Sequence, residues 1–114
     1  MEIAHRIEDG ITVVSLRGRF DAPSAPDAET VFRQLTQEGA QRVVVDFSGV
    51  EYISSGGLRV IIMLSKALEK NNGQMALSGM NPFVSEVFEI TNLATRYRIL
   101  PSCEDAIRAL RAES

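Results

Sequence analysis

Residues 43–57 read VVVDFSGVEYISSGG, and this stretch decides the fold. The three successive valines at 43–45 are β-branched, and a continuous run of this kind is typical of a strand that is buried on both faces. Such strands are usually parallel. Over residues 57–70 the apolar spacing changes to that of an amphipathic helix. A buried strand followed by a loop and a helix indicates an α/β fold.

The residues before this stretch predict a hairpin and a helix. Residues 3–7 and 11–16 are β-type segments, and the Asp-Gly pair between them tolerates the positive φ angles of a tight turn. A helix is predicted to begin near Ser24 and to end near residue 39. The domain therefore opens with an antiparallel hairpin.

The residues after the stretch complete an alternation of strands and helices. Residues 75–77 and 97–100 predict short strands, and Asn81 and Ser102 are typical first residues of two further helices. Short connections between alternating strands and helices indicate a parallel sheet covered by helices. We predict one domain over residues 1–114, an α/β fold with a mainly parallel sheet, an opening antiparallel hairpin and about four helices.

The composition argues against several classes of function. The 114 residues carry a net charge of -3 with a pI of about 5.1, so the chain lacks the basic surface with which proteins bind nucleic acids or anionic membranes. Its apolar runs are too short to span a bilayer, and its first ten residues lack the plan of a signal peptide. One cysteine and one histidine leave no internal disulfide and no plausible zinc cluster. We expect a cytoplasmic protein without a structural metal.

The pair Ser54-Ser55 at the start of the predicted helix has three interpretations. A serine N-cap accepts a hydrogen bond from a first-turn amide, which stabilises a helix by about 1 kcal/mol. A catalytic serine needs a positioned base, and the single histidine, His5, lies on the predicted first strand. Phosphorylation is the third interpretation, because free amides and partial positive charge at a helix start can hold a phosphate without unfolding the domain. The residues leave the cap and the phosphorylation site open, and they argue against an enzyme.

Four segments of the chain resemble the STAS domain family. They are LRGRFDAPSA at 16–25, VVVDFSGVEYISSGGLRVI at 43–61, ALSGMNPFVSEVFEITNLATRYRIL at 76–100 and PSCEDAIRAL at 101–110. The resemblance covers nearly the whole chain and implies a STAS-like fold. The family includes the bacterial anti-sigma-factor antagonists, which act in partner-switching pathways of transcription regulation.

The resemblance implies a phosphorylation site. In such proteins the first serine of an Asp/Asn-Ser-Ser/Thr-Gly pattern is phosphorylated by a serine kinase that is also the anti-sigma factor. Matching forward from Asp46 and backward from Gly57 places Ser55 at the acceptor position, with Ser54 as the alternative. Ser54 then replaces the usual acid or amide, and Gly56 replaces the usual hydroxyl residue. Both are expected to lie in the partner-binding surface.

Further residues are expected at or near this surface. Asp21 matches the family's loop acid near the acceptor serine. Arg59, Val60 and Met63 are predicted to face away from the core and to form a docking stripe on the helix that begins at the serines. Structural roles in the loop after the central strand are expected for Asp46, Ser48 and Gly57.

The resemblance implies an anti-sigma-factor antagonist that is not an enzyme. The unphosphorylated form would bind a serine-kinase anti-sigma factor and release its target, and phosphorylation at Ser55 would reverse this. ATP and Mg²⁺ would belong to the kinase, and a metal-dependent serine phosphatase would remove the phosphate. We expect a monomer or a weak dimer that has no cofactor of its own and does not insert directly into a membrane.

Two alternatives stay open. A STAS subunit can instead regulate a transporter or a signalling scaffold by constitutive docking, without phosphorylation. STAS relatives have also been proposed to bind nucleotides, although this chain has no phosphate-cradling motif.

Overall fold

A computed structural model describes residues 1–112, and these residues form one five-stranded mixed sheet. The strands lie side by side in chain order, and within this range one pair, the first, is antiparallel. They are β1 (Glu2–Glu8), β2 (Ile11–Phe20), β3 (Arg42–Ile53), β4 (Gln74–Ser78) and β5 (Arg98–Leu100). The predicted mainly parallel sheet with an opening hairpin is confirmed.

The turn between β1 and β2 has the predicted conformation. Asp9 and Gly10 have φ angles of 54° and 79°, in the left-handed region that an Asp-Gly pair tolerates. The two strands pair in register, with Ile3 opposite Leu16. This turn lies at the amino end of β2, so it is at the opposite end of the sheet from the carboxyl ends of the parallel strands.

Within residues 1–112, four α-helices accompany the strands: α1 (Ala25–Gln37), α2 (Ser55–Lys70), α3 (Pro82–Ile90) and α4 (Cys103–Arg111). A short 3-10 turn, Leu93–Thr95, lies between α3 and β5. The helix starts predicted at Asn81 and Ser102 are confirmed, because each of these side chains accepts a hydrogen bond from an amide in the first turn. α2 begins two residues earlier than the apolar spacing predicts.

The valines of residues 43–45 are fully buried and divide the core into two parts. Val43 and Val45 belong to a larger core with α1, α2 and α3, whereas Val44 belongs to a smaller core with α4. Successive side chains of a strand point to opposite faces of the sheet, which explains this division. The central strand is covered on both faces, as the β-branched run predicts.

The central strand is longer than the sequence predicts. A loop is expected from residue 46, but β3 continues to Ile53. It does so because β2 extends to Phe20, and the pairing of the two strands ends with Phe20 opposite Ile53. Pairing with β4 ends earlier, where Asp46 lies opposite Ser78. The predicted placement of Asp46 and Ser48 in a loop is therefore wrong, since both are residues of β3.

Candidate functional site

Two segments meet at the carboxyl ends of β2 and β3, as the parallel topology predicts. The Ser54 amide donates a hydrogen bond to the Phe20 carbonyl oxygen at 2.9 Å, so the start of α2 lies against the end of β2. A Cβ atom added to Gly56 would lie only 3.0 Å from the Cα atom of Ala22. The loop after β2 and the first turn of α2 are thus in direct contact, and together they form the candidate site.

Asp21 is held in this loop by Ser24. The Asp21 amide donates a hydrogen bond to Ser24 Oγ at 3.0 Å, and Ser24 Oγ donates to the Arg19 carbonyl oxygen at 2.8 Å. Ser24 precedes α1 but makes no side-chain cap bond to it, because its hydroxyl bonds to the loop. The Asp21 carboxylate stays partly exposed and lies 3.5 Å from Arg19 Nε. The loop therefore presents a carboxylate on a well-anchored backbone.

The two serines at the start of α2 have different environments. Ser54 is the N-cap residue, and its Oγ is buried without a hydrogen-bond partner among residues 1–112. The capping hydrogen bond that one interpretation of the serine pair predicts is therefore not formed by Ser54. Ser55 is the first residue of the helix and is exposed. Ser54 as a residue is half-buried, so Ser55 is the more accessible of the two.

Gly57 lies in the first turn of α2, so its predicted loop position is wrong, but it does have a structural role. A Cβ atom at this position would lie 2.6 Å from the Phe20 carbonyl oxygen and 2.9 Å from Ile53 Cγ1. These separations are shorter than real Cβ atoms show. Only glycine allows α2 to begin this close to the ends of β2 and β3.

The start of α2 is favourable for negative charge. The first amide groups of an α-helix have no acceptor within the helix, and the helix dipole gives this end a partial positive charge. The first turn of α2 carries no acidic side chain that would already use this field. Negative charge added at Ser55 would therefore be stabilised by the helix itself.

The docking stripe predicted on α2 is wrong in part. Arg59 and Lys66 are exposed and Met63 is partly exposed, but Val60 is only 2% exposed and belongs to the larger core. The buried face of α2 is wider than its apolar spacing indicates, because α2 packs against α1 as well as against the sheet. Met63 lines a shallow groove between these two helices. The outer face of α2 therefore offers charge and little apolar area.

Asp46 and Ser48 lie where β3 separates from β4. Asp46 Oδ1 accepts a hydrogen bond from the Ser48 amide at 3.0 Å, the local backbone contact that the sequence predicts for this aspartate. Gly79, at φ 71°, approaches the same carboxylate so closely that an added Cβ atom would lie 3.0 Å from Oδ1. These contacts support a structural role for both residues within the strand.

The sequence does not predict an aromatic stack that lies beside the site. The guanidinium carbon of Arg19 lies 4.3 Å from the centre of the Tyr52 ring. The same Tyr52 ring stacks with the Phe83 ring at a centroid distance of 5.6 Å and an interplanar angle of 27°. The spacing of Phe83, Val87 and Ile90 could have revealed part of this surface, because it places three apolar residues on one face of α3.

The described part of the chain was also compared with the features of membrane-spanning and metal-binding proteins. Within residues 1–112, no helix is long and apolar enough to cross a membrane. The same residues contain no group of three or more His, Cys, Asp and Glu side chains that could hold a metal ion. Burial raises the pKa of the Cys103 thiol at the start of α4, and the negative charge of Asp46 adds to this effect.

The fold, with an exposed serine at a helix start beside a loop carboxylate, is that of a STAS domain. The model of the STAS domain family matches residues 2–106. The chain therefore belongs to the STAS domain family.

Several proteins that are similar to this chain in sequence or in structure are named anti-sigma factor antagonists. BtrV of Bordetella bronchiseptica, provisionally named as such an antagonist, is 33% identical over 103 residues, which cover 90% of this chain and 89% of BtrV. The crystal structure of an anti-sigma factor antagonist from Mycobacterium paratuberculosis is 26% identical and has a TM-score of 0.89, covering 96% of this chain and 93% of that chain. The phosphorylated form of the Bacillus cell fate determinant SpoIIAA shares the fold, with 18% identity, a TM-score of 0.75 and coverage of 95% and 98%.

Proposed function

We propose that this chain is an anti-sigma-factor antagonist that works as a phosphorylation-controlled partner switch. The unphosphorylated form binds a serine-kinase anti-sigma factor and releases that factor's target, and a phosphate on Ser55 ends this complex. The observation that carries the proposal is the exposed Ser55 at the start of α2, in a chain whose relatives are named as antagonists. ATP and Mg²⁺ belong to the kinase, and a metal-dependent serine phosphatase removes the phosphate. The switch operates in the cytoplasm, where ATP is available to the kinase.

Burial supports Ser55 rather than Ser54 as the acceptor. A kinase must bring the hydroxyl oxygen into line with the γ-phosphate of ATP, so the oxygen has to be accessible. Ser54 Oγ is buried, and Ser54 is fixed by the bond from its amide to the end of β2. Ser55 is exposed at the start of α2, which meets this requirement.

Electrostatics support a switch that leaves the fold intact. A phosphate adds a charge of about -1.5 to -2, and the free amides at the start of α2 stabilise it within the domain. A partner that packs closely over Ser55 must instead remove this charge from water, which is unfavourable without a matching cation. Asp21 and Glu51 already carry negative charge at this end of the sheet. Phosphorylation would therefore destabilise the complex and not the domain.

Phosphorylation is expected at Ser55. The chain is incubated with ATP, Mg²⁺ and each purified serine kinase of this class from the same genome, and the phosphorylated residue is mapped by mass spectrometry. Ser55→Ala should abolish the modification, whereas the matched control Ser54→Ala removes the buried hydroxyl and should retain it. Phosphate found only at residues other than Ser55 would contradict the site assignment.

A negative charge at position 55 is expected to weaken kinase binding. Isothermal titration calorimetry with the kinase identified above should show a dissociation constant at least about tenfold higher for Ser55→Glu than for the wild-type chain, or roughly 1.4 kcal/mol. Ser55→Ala should bind like the wild type, because it adds no charge. Gln37→Glu, at the end of α1, controls for the added charge and should bind normally. Equal affinity of Ser55→Glu and the wild type would favour constitutive docking over switching.

A further inference from the structure

The proposed complex needs apolar contact area that α2 does not provide. Protein interfaces concentrate their binding energy in a few apolar, aromatic and arginine side chains near the centre. On α2, Val60 is buried and Met63 lies in the groove shared with α1, so the exposed side chains near Ser55 include Arg59 and Lys66 but no large apolar group. The apolar centre of the interface must therefore come from another element.

Exposed large apolar side chains are few in the described part of the chain. Within residues 1–112 they are Ile7, Phe83 and Ile90, with exposed fractions of 74%, 49% and 72%. Ile7 pairs with Thr12 near the amino end of β2, so it lies at the opposite end of the sheet from Ser55. Phe83 and Ile90 both lie on α3. This helix therefore carries the two of these three large side chains that do not lie at the far end of the sheet.

We give the name α3 patch to Tyr52, Phe83, Val87 and Ile90. The last three are spaced i, i+4 and i+7, so they share one face of α3, and Tyr52 extends this face through its stack with Phe83. Isolated exposed apolar residues are common on protein surfaces, but these four form a continuous set.

α3 is anchored to the end of β3 that leads into Ser55. Asn81, the N-cap residue of α3, donates hydrogen bonds from Nδ2 to the carbonyl oxygens of Val50 at 3.2 Å and Glu51 at 3.3 Å. Phe83 follows in the first turn of the helix. The start of the α3 patch is therefore fixed relative to the site.

Direct contacts connect the α3 patch with the loop beside Ser55. The Arg19 guanidinium lies over the Tyr52 ring at 4.3 Å, and its Nε atom lies 3.5 Å from the carboxylate of Asp21. The next residue of that loop, Ala22, is the one that approaches Gly56 in the first turn of α2. A partner that covers Ser55 and Asp21 can therefore continue over Arg19 onto the aromatic stack.

The charges around the α3 patch indicate the chemistry of its partner. Glu86 and Glu89 are exposed on α3, and Glu51 is exposed beside Tyr52. Arg19, the cation at the same edge, forms an ion pair with Asp21. An apolar centre surrounded by these three glutamates is complementary to an apolar segment flanked by lysine or arginine side chains.

We propose that the α3 patch is the apolar anchor of the complex with the serine-kinase anti-sigma factor. It receives a segment of the kinase that carries apolar side chains flanked by basic ones, while the kinase active site reaches Ser55. This inference rests on the proposed function, because it assigns a second contact to the same partner.

The test measures binding of single variants to the purified kinase that phosphorylates the wild-type chain. Phe83→Ala and Ile90→Ser should each raise the dissociation constant about tenfold in calorimetry, because each removes a central apolar contact. Glu86→Lys should raise it about threefold by repelling the basic groups of the kinase. Ile7→Ser is the matched control, since it removes an equally exposed isoleucine from the far end of the sheet, and it should bind like the wild type.

The outcomes separate this inference from the proposed function. Normal binding by Phe83→Ala and Ile90→Ser, together with weak binding by Ser55→Glu, would overturn the anchor and leave the switch intact. Failure of the wild-type chain to bind any such kinase would overturn both. Self-association of the wild type in sedimentation experiments that is lost in Ile90→Ser, with kinase binding unchanged, would assign the patch to a second copy of the chain and overturn the kinase anchor. Thermal unfolding of each variant verifies that the domain is folded.

Discussion

Gly57 sets the distance between α2 and the ends of β2 and β3. Gly57→Ala should reduce the free energy of unfolding by about 2 kcal/mol, because the new methyl group meets the Phe20 carbonyl oxygen and the overpacking outweighs the gain in helix propensity of about 1 kcal/mol. Urea unfolding measures this change. Gly56→Ala is the matched control, with an expected change within about 1 kcal/mol, because the loop at Ala22 can move by the few tenths of an ångström required. Equal losses in the two variants would contradict this explanation.

At the scale of single residues, the sequence predicted which segments meet but not the environments of their side chains. The resemblance pointed to Ser55, Ser54 and Asp21, and the structure brings the segments that carry them into contact. It could not show that Ser54 Oγ is buried and that Ser55 is exposed, because both residues are serines and adjacent. That difference depends on how the loop after β2 packs against α2, which is a contact between residues distant in sequence.

At the scale of elements, local patterns predicted the interiors of strands and helices and failed at their edges. The valine run and the capping residues were sufficient for β3, α3 and α4 to be recognised. Asp46, Ser48 and Gly49 are typical of a loop, yet β3 passes through them because the long β2 supplies hydrogen-bond partners beyond that point. Pairing with a strand that is distant in sequence overrides the local preference of these residues for a loop. Such pairing cannot be recognised from a single sequence.

Val60 provides a test of the corrected face of α2. Val60→Ala should lower the free energy of unfolding by about 2 kcal/mol, since it removes fully buried methyl groups, while affinity for the kinase should not change. Chemical unfolding and calorimetry measure the two quantities. Lys66→Ala, on the exposed side of the same helix, should change stability by less than about 0.5 kcal/mol. Weaker kinase binding by a fully folded Val60→Ala variant would instead support the docking stripe that the sequence predicts on α2.

At the scale of the whole molecule, the switch is expected to act without unfolding the domain. Ser55→Glu should have the same fold and a slightly higher stability, by about 0.3–1 kcal/mol, because it places negative charge at the start of α2. Thermal unfolding at low salt measures this gain, which should decrease at high salt as the charges are screened. Ser55→Gln, which has the same shape without the charge, should not show it. A large loss of stability in Ser55→Glu would instead indicate that phosphorylation acts by unfolding.

The order of the strands has a consequence for biosynthesis. Each strand from β2 to β5 lies beside the strand that precedes it in the chain, so every new strand leaving the ribosome finds its neighbour already made. α4 is synthesised after all five strands and covers the smaller core on the face opposite α1, α2 and α3. The sheet can therefore grow in the direction of translation, and the exposed apolar face beneath α4 is the last part of the domain to be protected from aggregation.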